Sequence, residues 1–271
     1  MHRSGTSIAA RVVQLLGAYL GSMSELTLGG LDNPDGFWER RGIHLIHERG
    51  LASLNSCWDT SRRLPANWQH EPGIAALREG LCEYVGENFG SVAQWAWKDP
   101  RTALFLPLWE DILGRHDIQL KCLIVIRNPL EVAQSLERRN GFSIEKGLDI
   151  WLNYNLAIIE NTSGLPRAIV SYDALLGDWR FALKPCYEKL AIPWLGDDEI
   201  VGRAVDQSLK ADLRHSRYEI GDLRAYRPAV KQLALVLDEA ARSGNVDVAE
   251  GRLRQTRLLD YRVPATLDSA N

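Results

Sequence analysis

Residues 2–7, His2-Arg3-Ser4-Gly5-Thr6-Ser7, place a cation, small residues and hydroxyls directly ahead of a helix-like segment. Such a run makes an anion site, because unpaired N–H groups, the helix dipole and the close backbone approach that Gly5 allows all favour negative charge. No Asp or Glu precedes Glu25, so nothing in the adjoining sequence opposes an anion. A Ser/Thr cap on a surface helix would use the same residues. The run departs from the G-x-x-x-x-G-K-[ST] loop of triphosphate sites, since no Lys stands between Gly5 and the hydroxyls. It suits the 5′-anion of a nucleotide.

A second candidate is Ile126 to Arg139 (IRNPLEVAQSLERR). Asn128 is suited to cap a helix, Pro129 to occupy its first position and Glu131 to reach back in a capping box. Arg127 then stands at the carboxyl end of a strand, where open α/β sheets bind ligands. Ser135 and Arg139, four apart, share a helix face with each other, and with Arg127 they form a set able to hold a second phosphate. A solvated helix face accounts for the same charges. A third candidate, Trp97-Lys98-Asp99-Pro100-Arg101, sets Lys98 where it would stabilise charge on a transferring group and Asp99 where it would cap a helix started by Pro100. A strand-end ion pair is the alternative there.

The elements that must hold these residues are legible from periodicity. Lys121–Ile126 (KCLIVI) is an apolar, β-branched run typical of a parallel strand buried on both faces, and 92–97 and 168–171 are shorter strand candidates. Helical patterns cover about 74–88, 102–115, 129–139, 144–161, 180–190 and 224–242. Alternating strands and helices predict an α/β fold, a three-layer, P-loop-like parallel sheet with Lys121–Ile126 central and helices on both faces. Ile8–Leu20 reads as an amphipathic helix with Val12, Leu15, Leu16 and Tyr19 on one face; Arg11 and Gln14 interrupt it, which argues against a signal peptide. The whole of 1–271 reads as one domain, with loops near 29–36 and 63–73 and a frayed tail at 265–271.

The balance of 32 Lys+Arg against 35 Asp+Glu, net −3, with 45% hydrophobic and 25% charged residues, excludes disorder as the main state and a global basic field for nucleic acid. No apolar run reaches the ~20 residues of a membrane span. Cys57, Cys82, Cys122 and Cys186 are far apart with no C-x-x-C pair, so neither a zinc site nor a disulfide framework is expected, and a reducing, cytoplasmic compartment is.

Taken in order, HRSGTS, KDPR, IRNPLEVAQSLERR and Tyr172-Asp173-Ala174-Leu175 resemble the sulfotransferases that use 3′-phosphoadenosine-5′-phosphosulfate (PAPS), with the likeness closest to bacterial members of the group that includes tyrosylprotein sulfotransferases. It spans roughly residues 1–215. The resemblance implies that Arg3, Ser4, Gly5, Thr6 and Ser7 wrap the donor's 5′-phosphosulfate and that Arg127 and Ser135 hold its 3′-phosphate. Arg139 corresponds to a further basic contact, Tyr172 to a residue near the nucleotide and Lys98 to a catalytic lysine beside the sulfuryl group. In the protein-tyrosine branch a Glu between the first two motifs is the base. The matching stretch, Asn33 to Glu39, makes Glu39 the candidate, with His44 and His47 as alternatives. No metal is implied.

The family carries a strand directly before the anion loop, whereas Met1 here stands inside that loop, so the resemblance implies a sheet short of its first strand. Acceptor chemistry is expected from 29–73. Trp38, Trp58 and Trp68 fall there, three of nine tryptophans, and either stack on an acceptor or pack. Arg40, Arg41, Arg49, Arg62 and Arg63 face only Glu48 and Asp59 across 40–63, an excess that either steers an anionic substrate or is ordinary solvated surface. A hydroxyl-bearing small molecule or glycan is expected as acceptor ahead of a protein. A P-loop small-molecule kinase and a non-catalytic nucleotide-binding protein are the alternative functions.

Overall fold

The apolar run after Lys121 forms strand β1 (Cys122–Ile126), which pairs in parallel with β2 (Arg167–Ser171), Leu123 lying opposite Ala168 and Val125 opposite Val170. The structure is a computed structural model and describes residues 1–27, 29, 36–209 and 217–263. Ahead of β1 lie helices α1 (Thr6–Leu15), α2 (Arg41–Ser53), α3 (Pro72–Phe89) and α4 (Thr102–Arg115). Parallel pairing requires a crossover, supplied by α5 (Pro129–Asn140) and α6 (Ile144–Asn161). After β2 come α7 (Tyr172–Gly177), α8 (Trp179–Lys189), α9 (Glu199–Ser208), α10 (Pro228–Ser243) and α11 (Val246–Gln255). The chain is mixed α/β, 60% helical, with a small two-stranded parallel sheet.

Side-chain alternation along the strands divides the core. Ile124, Ile126 and Ile169 join an apolar cluster with α4, α6 and α10, while Val125, Ala168 and Val170 join another with Ala9, Val12, Trp179 and Leu183 of α1 and α8. Local chemistry sets the ends of the elements. Asn128 caps α5 by accepting from Leu130 N at 2.9 Å, Pro129 opens the helix and Gly141 closes it at φ +70°. Pro107 inside α4 cannot donate to Ala103 O, and the Asn161 amide from α6 fills that carbonyl at 2.8 Å.

Several expectations are corrected. The 92–97 segment makes a single parallel bridge, Tyr19 with Trp95, because one neighbouring residue supplies one rung and no ladder. β1 is paired on one side only among the described residues, so it is not central. The first helix starts at Thr6 and stops at Leu15, since Gly17 takes φ +101°; Tyr19 leaves the apolar face for the bridge and is 40% exposed. Glu131 turns to Arg127 Nε at 2.9 Å and is fully buried there, in place of the expected capping box. α4 begins at Thr102, two residues after Pro100, because Asp99 Oδ1 first accepts from Arg101 N at 2.9 Å. Asn33–Asp35 and the 265–271 tail lie outside the described residues. Among the described residues no helix is long and apolar enough to cross a membrane.

Candidate functional site

A cavity of about 1080 Å³ opens where the carboxyl ends of both strands meet the 2–7 turn. Gly5 caps α1 at φ +82°, a left-handed value that glycine adopts without strain. A Cβ there would collide with the ring of Tyr172, the first residue of α7, so the turn lies flat against that ring. Arg3, also left-handed at φ +61°, donates from Nε to Ser135 Oγ at 2.7 Å. Arg127 donates to the Arg3 carbonyl at 3.2 Å, and its guanidinium lies 4.5 Å from the Tyr172 ring centroid. The turn after Met1, the end of β1, the first turns of α5 and the start of α7 are thereby locked together. Arg139 stands on the same wall, 5.4 Å from the Phe37 ring centroid.

Beside the last residue of the turn, Lys98 Nζ donates to Glu39 Oε1 at 2.6 Å, to the Phe37 carbonyl at 3.1 Å and to Ser7 Oγ at 3.4 Å. His44 Nδ1 lies 3.3 Å from Glu39 Oε2. Burial by itself would raise the pKa of Glu39, but the Lys98 charge and the His44 hydrogen bond outweigh it and hold the carboxyl below its usual range. The same hydrogen bond raises His44, more than offsetting its partial burial. Glu39 is the sole acid among the described residues lining the cavity, against Lys98 and six arginines, Arg3, Arg127 and Arg139 among them.

Of the residues singled out in the sequence, Arg3, Gly5, Thr6, Ser7, Glu39, His44, Lys98, Arg127, Ser135, Arg139 and Tyr172 all line this cavity. Ser4 is 1% exposed and sits behind the wall. His47 also departs from expectation. Its Nε2 accepts from the Trp109 indole, a donor only, at 2.8 Å, so Nδ1 carries the proton toward Asp99 at 3.0 Å. That histidine is fully buried and is a core residue. Asp99 likewise serves the core. Burial opposes its charge, but His47 and Arg101 prevail and hold its pKa well below normal. Arg101 in turn pairs with Glu48.

The basic excess of 40–63 forms no part of the cavity. Arg40 is 2% exposed and bonds to Glu25, to Tyr84 Oη at 2.9 Å and to Asn88 at 3.0 Å, while Arg63 pairs with Glu160 and donates to the Leu259 carbonyl at 2.6 Å. Of the three tryptophans in 29–73, Trp38 and Trp58 line the cavity and Trp68 packs on Phe105 at 5.3 Å. Arg11, Arg138, Arg101 and His2 line it too, though their sequence context assigns them no role. Arg11 was within reach, being four residues beyond Ser7 on α1; His2 opens the 2–7 run, but nothing there assigned it a task of its own. Burial first, then the Arg101 charge, pushes His2 well below the usual histidine pKa, and its ring rests on Trp58 at 4.7 Å.

Compared with protein-family models, with curated proteins and with solved structures, the chain matches none.

Proposed function

We propose that this chain is a PAPS-dependent sulfotransferase with a hydroxyl acceptor, its two strands being part of a three-layer, P-loop-like parallel arrangement. The observation that carries the reading is the convergence of Arg3, Arg127, Ser135, the α1 amino terminus and the Lys98–Glu39 pair on one cavity. The fit to the donor rests on charge and cradle. Forked guanidinium donors suit phosphate oxygens, and the glycine turn leads into a helix amino terminus whose N–H groups suit an anion. When bound, the donor supplies a sulfuryl group: the acceptor oxygen–sulfur bond forms while the bond from sulfur to the 5′-phosphate oxygen breaks, leaving 3′,5′-bisphosphoadenosine.

The protein's part is positioning and charge stabilisation. Arg127, braced by Glu131, and Ser135, held by Arg3, are set for the 3′-phosphate. Arg3 and the Gly5–Ser7 N–H groups are set for the 5′-anion, with the Tyr172 ring closing the nucleotide side. Lys98 stands between Glu39 and Ser7. While it holds Glu39 at 2.6 Å it keeps that carboxylate ionised and weakly basic. An anion beside Ser7 competes with Glu39 for the Lys98 ammonium, and as that charge is shared Glu39 regains basicity. The acceptor hydroxyl then gives its proton to Glu39, and His44, whose side chain is 32% exposed, passes it toward solvent. A small molecule or glycan is the favoured acceptor class, with Trp38 and Trp58 offering apolar faces.

The test is calorimetry against 3′,5′-bisphosphoadenosine and ATP, followed by transfer of radiolabelled sulfate from PAPS to glycans, phenols and tyrosine peptides. Bisphosphate binding without magnesium, together with labelling of a hydroxyl acceptor, is the expected result. Magnesium-dependent ATP binding with none for the bisphosphate would replace the reading with a kinase, and bisphosphate binding with no transfer would favour a non-catalytic binding protein.

A further inference from the structure

Helix α1 carries one more cation into the large cavity, beyond the turn at its amino end. Arg11 stands one helical turn past Ser7, about 6 Å farther along the axis, and lines the cavity half-buried. Its guanidinium lies over the Trp38 ring, 4.8 Å from the centroid, and Nη1 donates to Gln14 Oε1 at 2.5 Å. Among the described residues no carboxylate pairs with it. An arginine laid on an aromatic face keeps its other in-plane donors for a further partner. One already stacked and hydrogen-bonded also has less freedom to lose when that partner arrives.

The platform under Arg11 is strained. Trp38 takes φ +57°, a left-handed value that bulky residues adopt only where the surroundings impose it, most often at ligand clamps and active sites. Packing imposes it here: the indole is buried with Ala10, Ala18, Leu20 and Leu26, and Thr27 N donates to Glu39 O at 2.7 Å just beyond it. The reversal at Trp38 turns the Phe37 carbonyl and the Glu39 carboxylate onto one ammonium, Lys98 Nζ, at 3.1 and 2.6 Å, while its own ring lies under Arg11. One residue thus sets the spacing between the Lys98–Glu39 pair and the arginine. Arg127 and Ser135, by contrast, are tied to Arg3 ahead of α1.

We propose that Arg11, on its Trp38 platform, binds a carboxylate of the acceptor, so that the acceptor is an acidic hydroxyl compound, a uronic acid being the simplest. This acceptor class rests on the sulfotransferase reading, in which the reacting oxygen lies among Ser7, Lys98 and Glu39. The step of about 6 Å from Ser7 to Arg11 along α1 then places the carboxylate roughly one sugar ring from that oxygen. Arg11 touches neither the reacting atoms nor the donor; it decides which acceptors are held, because a neutral sugar leaves its donors without an anion.

The test uses a matched pair, para-nitrophenyl β-glucuronide and para-nitrophenyl β-glucoside, which share their ring hydroxyls and differ in a carboxylate against a hydroxymethyl group. Calorimetry on the full chain, with and without 3′,5′-bisphosphoadenosine, is expected to show the glucuronide binding roughly tenfold or more tighter, the scale of a charge-assisted hydrogen bond. Arg11→Gln should abolish that preference and raise KM for the glucuronide more than it lowers kcat, with little change in bisphosphate affinity. Arg11→Lys should restore part of the preference, supplying the charge without the fork. Equal affinity of the unsubstituted chain for the two probes, or binding of neither, overturns the proposal. So does a loss of bisphosphate affinity in Arg11→Gln as large as the loss for the glucuronide, since Arg11 then serves the donor. A glucuronide preference that depends on Arg11, without sulfate transfer from PAPS to any acceptor, supports the carboxylate site while the sulfotransferase reading falls.

Discussion

The two walls of the large cavity are built on different principles. One, made by Arg3, Arg127, Ser135 and Tyr172, is a set of permanent charges and neutral groups fixed by side-chain and backbone contacts across more than a hundred residues of sequence, as in the 2.7 Å bond from Arg3 to Ser135. The other, made by Glu39, His44 and Lys98, is a chain of titratable groups in which Glu39 bonds to both the lysine and the histidine. The difference separates two jobs. A guanidinium wall binds an anion at any ordinary pH and needs no rearrangement. A carboxylate tied to a lysine and a histidine changes basicity as its partners move. On the proposed function, binding energy belongs to the first wall and proton chemistry to the second, a division that the following substitutions test.

The sharpest break is Glu39→Gln. It keeps the shape and a hydrogen-bonding side chain but removes the base, and turnover is expected to fall by about 10²–10⁴-fold. Bisphosphate affinity measured by calorimetry should change little, because the first wall is untouched. Next is Lys98→Ala, expected to lower turnover by about 10²-fold with a smaller effect on affinity, the signature of a group that acts on developing charge. Arg127→Ala should do the reverse, weakening bisphosphate binding by roughly 10–100-fold through the loss of charge-assisted bonds. It also strips Glu131, fully buried, of its 2.9 Å ion-pair partner, so Tm should fall as well. Arg127→Lys then separates the causes, restoring charge without the fork. Equal losses of affinity in all three alanine and glutamine variants would erase the division between the walls.

The first wall was largely legible in the sequence; of the second, Lys98 was marked by its own motif, while Glu39 and His44 entered only as alternatives for the base. Asn128, Pro129 and Gly141 announce α5 and thereby fix where Arg127 and Ser135 point. The 2–7 turn is equally local, since Gly5 caps the helix that follows. An apolar run that stands alone declares a strand, as at β1, whereas at 92–97 pairing depends on a distant partner rather than on composition. Around Glu39 no such local rule operates. The basic run 40–63 looks like a cleft, yet Arg40 is swallowed by Glu25, Tyr84 and Asn88. His44 and His47 are three residues apart on one helix, and only packing decides that the first faces the cavity and the second the Trp109 indole. Lys98 and Asp99 divide similarly between site and core.

That last division yields a prediction of stability against function. Asp99→Ala removes the acceptor shared by buried His47 and Arg101, and breaking such a buried set costs about 3–5 kcal/mol. A fall in Tm of about 6–15 °C is expected for a chain of this size, measurable by differential scanning calorimetry. Its neighbour Lys98→Ala, which leaves buried Glu39 with His44 as its remaining side-chain partner, should lower Tm less than Asp99→Ala does while turnover falls more. Similar Tm losses in both would mean that Lys98 is itself a structural residue.

The smallest expected effect is a pH dependence confined to the second wall. The folded pKa of His44 is raised above its ordinary 6.5, so its stabilising contribution is complete below that value and is lost as pH rises through the folded value. The folded pKa of Glu39 is lowered below 4.5, so its contribution is complete above that value and is lost as pH falls through the folded one. The pair is therefore at full strength between pH 4.5 and 6.5. His44→Gln should remove the alkaline part of this dependence alone. Measured as Tm across pH 5 to 9, the unsubstituted chain should lose about 1–2 °C more than the variant above pH 6.5. Anion binding by the first wall should keep the same affinity over that range in both proteins once ligand ionisation is subtracted. A pH-dependent affinity that disappears in His44→Gln would instead place the histidine among the anion's contacts and join the two walls into one.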